Sequence, residues 1–290
     1  MATVLPRVDE IEDLQPSAIT RRLAGDARLM GGSGYALLLQ VAHPVVGAGV
    51  SDHSDFQADP WGRLIRTLDY VNVTVFGGAA AAAAMGARTR AVHHHIKGTL
   101  PNGEPYHSLE PNAFAWVHAT LAHSILRSND LYVGRVSQAD REAFYADWRR
   151  LGRYIGVRDR DLPETYAEFG PYVAEMEAGV LERTQSVDDV LVSLMRPKRP
   201  DPRVPRVVWK ALRWPAARSV RLTTYGMLGP VVRERLGLAW SPTAERAFRA
   251  FAASQRAASP VLPRQAKQFG PTYLRVRSEA LARQGFAVTT

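Results

Sequence analysis

The chain has 290 residues, of which 46% are hydrophobic and 22% charged, with a net charge of +9; this composition is typical of a globular protein that buries roughly 75% of its unfolded surface. It contains no cysteine, which excludes disulfides, cysteine-ligated zinc, iron–sulfur clusters, thiolate-ligated haem and covalent haem attachment. The N-terminus lacks the apolar core of a signal peptide and no run of about 18 apolar residues follows, so we expect a cytoplasmic protein without a spanning helix.

The positive charge is concentrated in one segment. Residues 196–221 contain nine basic residues against the single acid Asp201, an excess of nine minus one, or eight, positive charges. This local patch accounts for nearly the whole net charge. A basic composition that is local in this way does not predict a nucleic-acid-binding protein, and we expect no nucleic-acid partner.

Helical spacing of apolar residues predicts four helices in the first third of the chain, over residues 10–30, 35–50, 60–76 and 78–97. Pro44 interrupts the second helix, which is too apolar for a surface position. Pro60 is a favoured first helical residue and opens the third. The fourth is rich in alanine, the best helix former, and is predicted to end at Gly98. The strongest strand signal, residues 70–76, continues the helical phase set by Pro60.

The rest of the chain also predicts helices. A loop over residues 99–111 precedes them, and residues 197–205 form a proline-rich connector. The predicted helix starts are Pro111, Ser137, Pro163, Thr243 and Pro271. The pattern predicts a single all-α domain over residues 1–290 with a core of about 15–275. Its basic, proline-rich C-terminal extension includes residues 196–240 as a peripheral lobe.

Five of the eight histidines lie between residues 35 and 98, which predicts a pocket there. His93, His94 and His95 are consecutive. Consecutive side chains on a helix point about 100° apart, so these three cannot converge on one metal ion. One of His93 and His94 could face inward and line a functional pocket. Alternatively, the helix face is solvated and one of the two is a buried, hydrogen-bonded histidine with a structural role only.

Arg63, Arg66 and Thr67 form a second candidate group. Arg63 and Thr67 are four residues apart and share one helix face. If this face borders a cavity, it offers a fixed positive charge and a hydroxyl, which suit dioxygen or a developing oxyanion. On a helix that also carries Leu64 and Leu68, the same face could instead be the exposed side.

The remaining polar candidates are less distinctive. His118 lies in an apolar helix, where a histidine satisfied by neighbouring groups is more common than a functional one. Asp52, His53 and Asp55 could ligate a non-haem metal, although such a set arises easily by chance. The chain has no Gly-x-Ser-x-Gly elbow and no P-loop. A non-covalent haem is compatible, since it needs one inward histidine, apolar walls and basic residues for the propionates.

Several motifs together resemble the DUF2236 family, which contains the rubber oxygenase (latex-clearing protein) catalytic domain and the membrane-bound oxygenase of mycophenolic acid biosynthesis. The motifs are Leu-Leu-Leu-Gln-Val-Ala-His43-Pro44, followed by His53-Ser-Asp-Phe, Asp59-Pro-x-Gly-Arg63-Leu-x-Arg66-Thr67, His93-x-x-Ile-Lys97-Gly98 and Trp116-Val-His118-Ala-Thr-Leu. The resemblance covers roughly residues 15–275.

The resemblance implies a globin-like fold that binds haem b and oxidises an apolar, isoprenoid substrate with O₂, for example by cleaving a double bond. His93 matches the proximal ligand of the haem iron, and Arg63, Arg66 and Thr67 match a distal Arg-x-x-Lys-Thr group. Arg66 stands where that group has lysine, and its pKa is too high for it to supply a neutral nitrogen ligand. The nearest counterpart of the distal acidic base is Asp52. The remaining cofactor-pocket candidates are His43, His53, Lys97 and His118.

Three other functions stay open at this point: a haem-binding or gas-sensing protein without turnover, a non-haem metalloenzyme using Asp52, His53 and Asp55, and a nucleic-acid-binding module that rests on the basic patch alone. Residues 206–214 mix cations with two tryptophans. That mixture suits an interfacial helix in peripheral contact with anionic lipid. The alternative is an ordinary solvated surface with buried side-chain stems.

Overall fold

The all-α prediction is confirmed. The computed structural model describes residues 14–54, 59–201, 203–286 and 288. Helices make up 73% of the structure. Within the described residues there are fourteen: α1 (Ala18–Ala24), α2 (Ser33–Val41), α3 (Pro44–His53), α4 (Pro60–Phe76), α5 (Ala79–His93), α6 (Pro111–Ser128), α7 (Gln138–Ile155), α8 (Tyr166–Glu175), α9 (Gln185–Met195), α10 (Arg206–Met227), α11 (Pro230–Arg235), α12 (Pro242–Ala257), α13 (Arg264–Lys267) and α14 (Phe269–Arg283).

Side chains at the helix starts explain several of these bounds. The Asp59 carboxylate accepts a hydrogen bond from the Gly62 amide at 2.8 Å, and Pro60 occupies the first position of α4. Ser137 caps α7 in the same way, as its sequence predicts. α8 begins three residues after the predicted Pro163, because Thr165 forms a reciprocal capping box with Glu168.

The segment after α5 differs from the sequence prediction. α5 ends at His93 rather than near Gly98, and the chain turns into a short antiparallel hairpin of β1 (Lys97–Thr99) and β2 (Pro105–His107). The reason is local: the Ser108 hydroxyl donates to the His93 carbonyl at 2.7 Å, and the Ser108 amide donates to that of Ile96. The returning strand thus takes carbonyls that a longer helix would have used.

The main core surrounds α2. Leu38, Leu39 and Val41 are fully buried, and α2 packs against α3, α6, α9 and α10. Alanine-rich α5 packs closely against α7, where a Cβ added to Gly86 would overlap the Tyr154 carbonyl oxygen. Small residues are therefore required at this helix crossing.

A smaller apolar cluster joins α14 to α4. It contains Val73 of α4 together with Leu274 and Leu281 of α14. Beside it, the buried Asp69 carboxylate accepts hydrogen bonds from the Tyr273 hydroxyl at 2.6 Å and from Arg277 at 2.7 Å. The C-terminal helix is thus fixed to the helix that carries Arg63 and Thr67.

The predicted peripheral lobe, residues 196–240, has two parts. From Ala217 onward α10 contributes buried residues, and Met227, Val232 and Leu236 belong to the main core. Before that point most of the helix is exposed, and Trp209 and Ala216 are half-buried. In the described part of the chain no single helix is long and apolar enough to cross a membrane. One bent pair, Ala27–Val41 with Pro44–His53 at 99°, reaches that length and composition.

Candidate functional site

A cavity of about 380 Å³ lies between α2, α4, α6 and α10. Apolar side chains form most of its wall: Ala24, Leu29, Met30, Ala36, Leu37, Leu64, Leu68, Val71, Leu121, Ile125, Leu194, Val220 and Phe269. Its size and lining are those of a small-molecule site. An apolar ligand could displace water from this space with little loss of hydrogen bonding.

Several neutral polar residues of the wall are hydrogen-bonded within the protein, whereas the buried Thr224 hydroxyl has no partner among the described residues. Gln40 donates from Nε2 to the Thr120 hydroxyl at 3.0 Å, and Asn72 donates to the Leu68 carbonyl at 2.8 Å. Ser124 donates to the Gly32 carbonyl at 3.1 Å. These bonds fix the wall, whose charged residues are Arg63, Lys198 and Asp26, the last of which is ion-paired with Arg28.

Arg63 and Thr67 both line the cavity, as their spacing predicts for a shared face. The Thr67 hydroxyl donates to the Arg63 carbonyl at 3.2 Å, and the Arg63 guanidinium donates to the Ser54 hydroxyl at 3.2 Å. Burial, with the charge of Arg66 adding to it, lowers the pKa of Arg63 to about 10. Arg63 is therefore still a full cation at neutral pH.

Arg66 does not line the cavity. Its guanidinium lies 3.5 Å from the Asp59 carboxylate, and both side chains are mostly exposed, 66% and 57%. The structure thus separates Arg66 from Arg63 and Thr67, with which the sequence groups it.

His93 is the last residue of α5. Its Nδ1 lies 2.8 Å from the Thr89 carbonyl oxygen. Since a carbonyl only accepts, Nδ1 carries the proton and Nε2 carries the lone pair of the neutral ring. Burial, together with the nearby charge of Arg63, lowers the pKa of His93 and keeps it neutral at pH 7. Phe114 packs edge-on against the ring, at 5.5 Å between centroids.

The other two residues of the histidine triplet are exposed, which agrees with helix geometry. His93 itself is not among the cavity-lining residues. Arg63 links the cavity to the surroundings of His93, because it lines the cavity while its charge acts on the His93 ring.

His118 lies in the core between α6 and α7. Its Nε2 donates to the Trp148 carbonyl at 2.8 Å, and the ring stacks on the Trp148 indole at 5.1 Å. The Tyr70 hydroxyl lies 3.4 Å from Nδ1. Burial lowers the pKa of His118 to about 4. Its contacts are those of a neutral structural histidine, and it does not line the cavity.

The other predicted residues lie around the β-hairpin and α3. Asp52 accepts a hydrogen bond from the Tyr106 hydroxyl at 2.7 Å, and His53 donates to the Lys97 carbonyl at 2.9 Å. The Lys97 side chain is exposed. His43 precedes α3; it is buried, and its Nδ1 has no hydrogen-bond partner among the described residues.

No group of three or more histidine, aspartate and glutamate residues in the described ranges could hold a metal ion. Asp55, the third member of the predicted non-haem set, lies outside the described residues. The non-haem site accordingly stays a prediction.

Sequence reasoning missed several cavity residues, including Gln40, Ser124 and Thr224. Gln40 is an isolated polar residue in an apolar helix, and Ser124 lies with His123 between apolar residues of α6, so the sequence offered a signal for both. His123 was also overlooked: its Nδ1 is hydrogen-bonded with the Tyr35 hydroxyl at 2.9 Å, and burial lowers its pKa to about 4.

Comparison with known proteins places the chain in a class of oxygenase catalytic domains. Residues 21–257 match the family described as ER-bound oxygenase mpaB/B'/Rubber oxygenase, catalytic domain. The chain belongs to this family, which confirms the resemblance seen in its motifs.

Two curated relatives are uncharacterised proteins, Rv2237 of Mycobacterium tuberculosis and Mb2261 of Mycobacterium bovis. Each is 24% identical to the chain over 240 residues, which cover 79% of the chain and 88% of the relative. No solved structure gives a significant match.

Proposed function

We propose that this protein is a haem b-dependent oxygenase that uses O₂ to oxidise an apolar, isoprenoid-like substrate. The observation that carries the proposal is the state of His93. Its Nδ1–H donates to the Thr89 carbonyl, and its Nε2 has no hydrogen-bond partner among the described residues. A backbone carbonyl on one ring nitrogen is the usual way in which proteins orient a metal-ligating histidine.

Two properties of His93 support haem as the cofactor. The ring is neutral at pH 7, as an axial ligand must be, and Phe114 supplies an apolar wall beside it. His93 would hold the iron through Nε2. When bound, haem supplies the iron chemistry that activates dioxygen.

The chain's own side chains have separate tasks. The apolar cavity binds the substrate chain and excludes water. Arg63 lines the cavity, is cationic at neutral pH and acts electrostatically on His93, so it would stabilise negative charge that develops on oxygen. The Thr67 hydroxyl is held by the Arg63 carbonyl, which fixes its orientation at the same wall.

Oxidative cleavage of a carbon–carbon double bond is the reaction that this arrangement suits best. Both atoms of O₂ enter the product as two carbonyl oxygens, so atoms and electrons balance without a separate reductant. An apolar alkene also has no polar groups for which the mostly apolar cavity wall would have to supply hydrogen-bond partners.

Haem titration of the purified protein tests the proposal. Wild type is expected to give a Soret band at one equivalent of haem, and His93→Ala is expected to lose it. His95→Ala is the matched control, because His95 is an exposed histidine two residues away. A wild-type protein that takes up no haem, or equal spectra for the two variants, would contradict the proposal.

Turnover is tested separately. The haem-loaded protein is incubated with an isoprenoid alkene under O₂, and carbonyl products are measured. We expect product in air and none under argon. Stable haem uptake with no product in air would identify a haem-binding protein without turnover instead.

A further inference from the structure

The first half of α10 is an unusually apolar exposed surface. Within the described residues, eleven large hydrophobic side chains are exposed, and five of them lie in α10. Four of these five lie within residues 206–215, which we call the α10 tip: Val207, Val208, Leu212 and Trp214. Single exposed apolar residues need no explanation, but a concentration of this kind marks an interaction surface.

The α10 tip is also amphipathic. Val208 and Leu212 are four residues apart, and so are Val207 and Ala211, so that they form one apolar side. Arg206, Lys210 and Arg213 repeat at spacings of four and three, and form a basic stripe along another side. The Arg213 guanidinium lies 5.3 Å from the Trp214 ring centroid. An apolar side bordered by arginine, lysine and tryptophan is typical of helices that lie in a membrane interface.

The charge pattern of the α10 tip distinguishes among the partners that could bind it. Residues 203–221 contain six basic residues, and no aspartate or glutamate occurs between residues 202 and 233. A symmetric contact with a second copy would place this basic stripe against itself, which like charges oppose. Nucleic acid would match the charge but leave the valines, leucine and tryptophan without a partner. An anionic bilayer satisfies both parts of the surface.

The same helix continues into the cavity. Val220, Thr223 and Thr224, all in the second half of α10, line the wall, and so do Pro197 and Lys198 in the segment before the helix. The Lys198 carbonyl accepts a hydrogen bond from the Trp61 indole at 2.8 Å, which ties that segment to α4. The α10 tip and the cavity wall therefore belong to one continuous element.

We infer that the α10 tip binds the surface of an anionic phospholipid bilayer and sets the cavity beside it. Val207, Val208, Leu212 and Trp214 enter the interfacial region, while the basic stripe contacts lipid phosphates. An apolar substrate dissolved in the bilayer then reaches the cavity without crossing water. The last step rests on the proposed function, whereas membrane binding does not.

Vesicle co-sedimentation of the full-length protein tests the inference. Vesicles of phosphatidylcholine with phosphatidylserine are compared with vesicles of phosphatidylcholine alone, at low and at high salt. We expect binding to the anionic vesicles at low salt and a marked loss at high salt. Replacing Arg206, Lys210 and Arg213 together by glutamine should weaken binding roughly a hundredfold, at about fivefold for each cation.

A matched pair of variants tests the apolar side. Val207 is 79% exposed and Val261, in the turn after α12, is 84% exposed. Val207→Glu should reduce vesicle binding by about tenfold, and Val261→Glu should leave it unchanged. Both valines are solvent-exposed, so both variants are expected to fold, which circular dichroism checks.

Three outcomes would overturn the inference: no binding to anionic vesicles, an equal loss in Val207→Glu and Val261→Glu, or a tip-dependent dimer in sedimentation velocity without vesicle binding. The readout needs neither haem nor turnover. Failure of membrane binding is therefore distinguishable from failure of the oxygenase proposal.

Discussion

Replacing His118 by alanine separates the two buried histidines by their roles. We expect His118→Ala to destabilise the fold while the protein still takes up haem. His93→Ala should do the opposite. The expectation follows from their contacts: His118 joins α6 to α7 through Trp148, whereas the His93 side chain, among the described residues, hydrogen-bonds only to Thr89 of its own helix.

The size of the effect follows from what His118→Ala removes. The Trp148 carbonyl loses its hydrogen bond inside the core, which costs about 1–3 kcal/mol. The stacking on the Trp148 indole contributes about 0.5–1.5 kcal/mol, and the cavity left by the ring adds to both. A total of about 2–5 kcal/mol lowers Tm by roughly 3–8 °C for a chain of this size. For His93→Ala, with a half-buried ring and one local bond, we expect less than about 1 kcal/mol.

Thermal unfolding and haem titration, carried out on both variants at a temperature where both are folded, measure the two effects. The reasoning would be refuted by a His118→Ala protein of unchanged Tm that has lost the Soret band. That result would assign the iron ligand to His118. A large stability loss in His93→Ala would likewise contradict the contacts described for it.

Three other predictions test separate parts of the structure. Arg63→Leu should lower turnover by about 10²–10³-fold with the haem spectrum retained, whereas exposed Arg66→Leu should stay within about twofold of wild type, because surface ion pairs contribute little; equal losses would contradict the separation of the two arginines. Because the pKa of His118 is about 4 in the folded protein and about 6.5 when unfolded, the unfolded state binds more protons and stability falls as the pH decreases from 6.5 to 4. Denaturant titrations across that range measure the free energy of unfolding, which should depend less steeply on pH in His118→Phe than in wild type. An equal pH dependence would refute the lowered pKa of His118. Gly86→Ala should destabilise by about 1–3 kcal/mol through overlap with the Tyr154 carbonyl, while Gly179→Ala, where an added Cβ meets nothing within 4 Å, should be neutral; urea denaturation compares the two, and an unchanged midpoint for Gly86→Ala would contradict the close helix crossing.

Local rules account for what the sequence predicted well. The start of α4 at Pro60 and the start of α7 after Ser137 depend on capping residues that are adjacent in the chain. The shared face of Arg63 and Thr67 depends only on helical period. Features that depend only on residues close together in the sequence can be derived from a single segment.

Features set by distant contacts were not predictable in this way. The end of α5 at His93 is decided by Ser108, fifteen residues later, which takes the His93 carbonyl. The separation of Arg66 from the cavity depends on how α4 is rotated against the core. The cavity itself needs five or more elements to be placed together before its wall exists. The globin-like arrangement implied by the resemblance stays a prediction.

The hydrogen bonds between Asp69 and α14 have a consequence for where the functional unit ends. The family match stops at residue 257, yet Phe269 lines the cavity, and Tyr273 and Arg277 hold the Asp69 carboxylate of α4. A chain shortened to the matched residues would leave a buried carboxylate without donors on the very helix that positions Arg63. The residues that match the family, 21–257, are thus fewer than those needed to keep the shape of the site, which include α14.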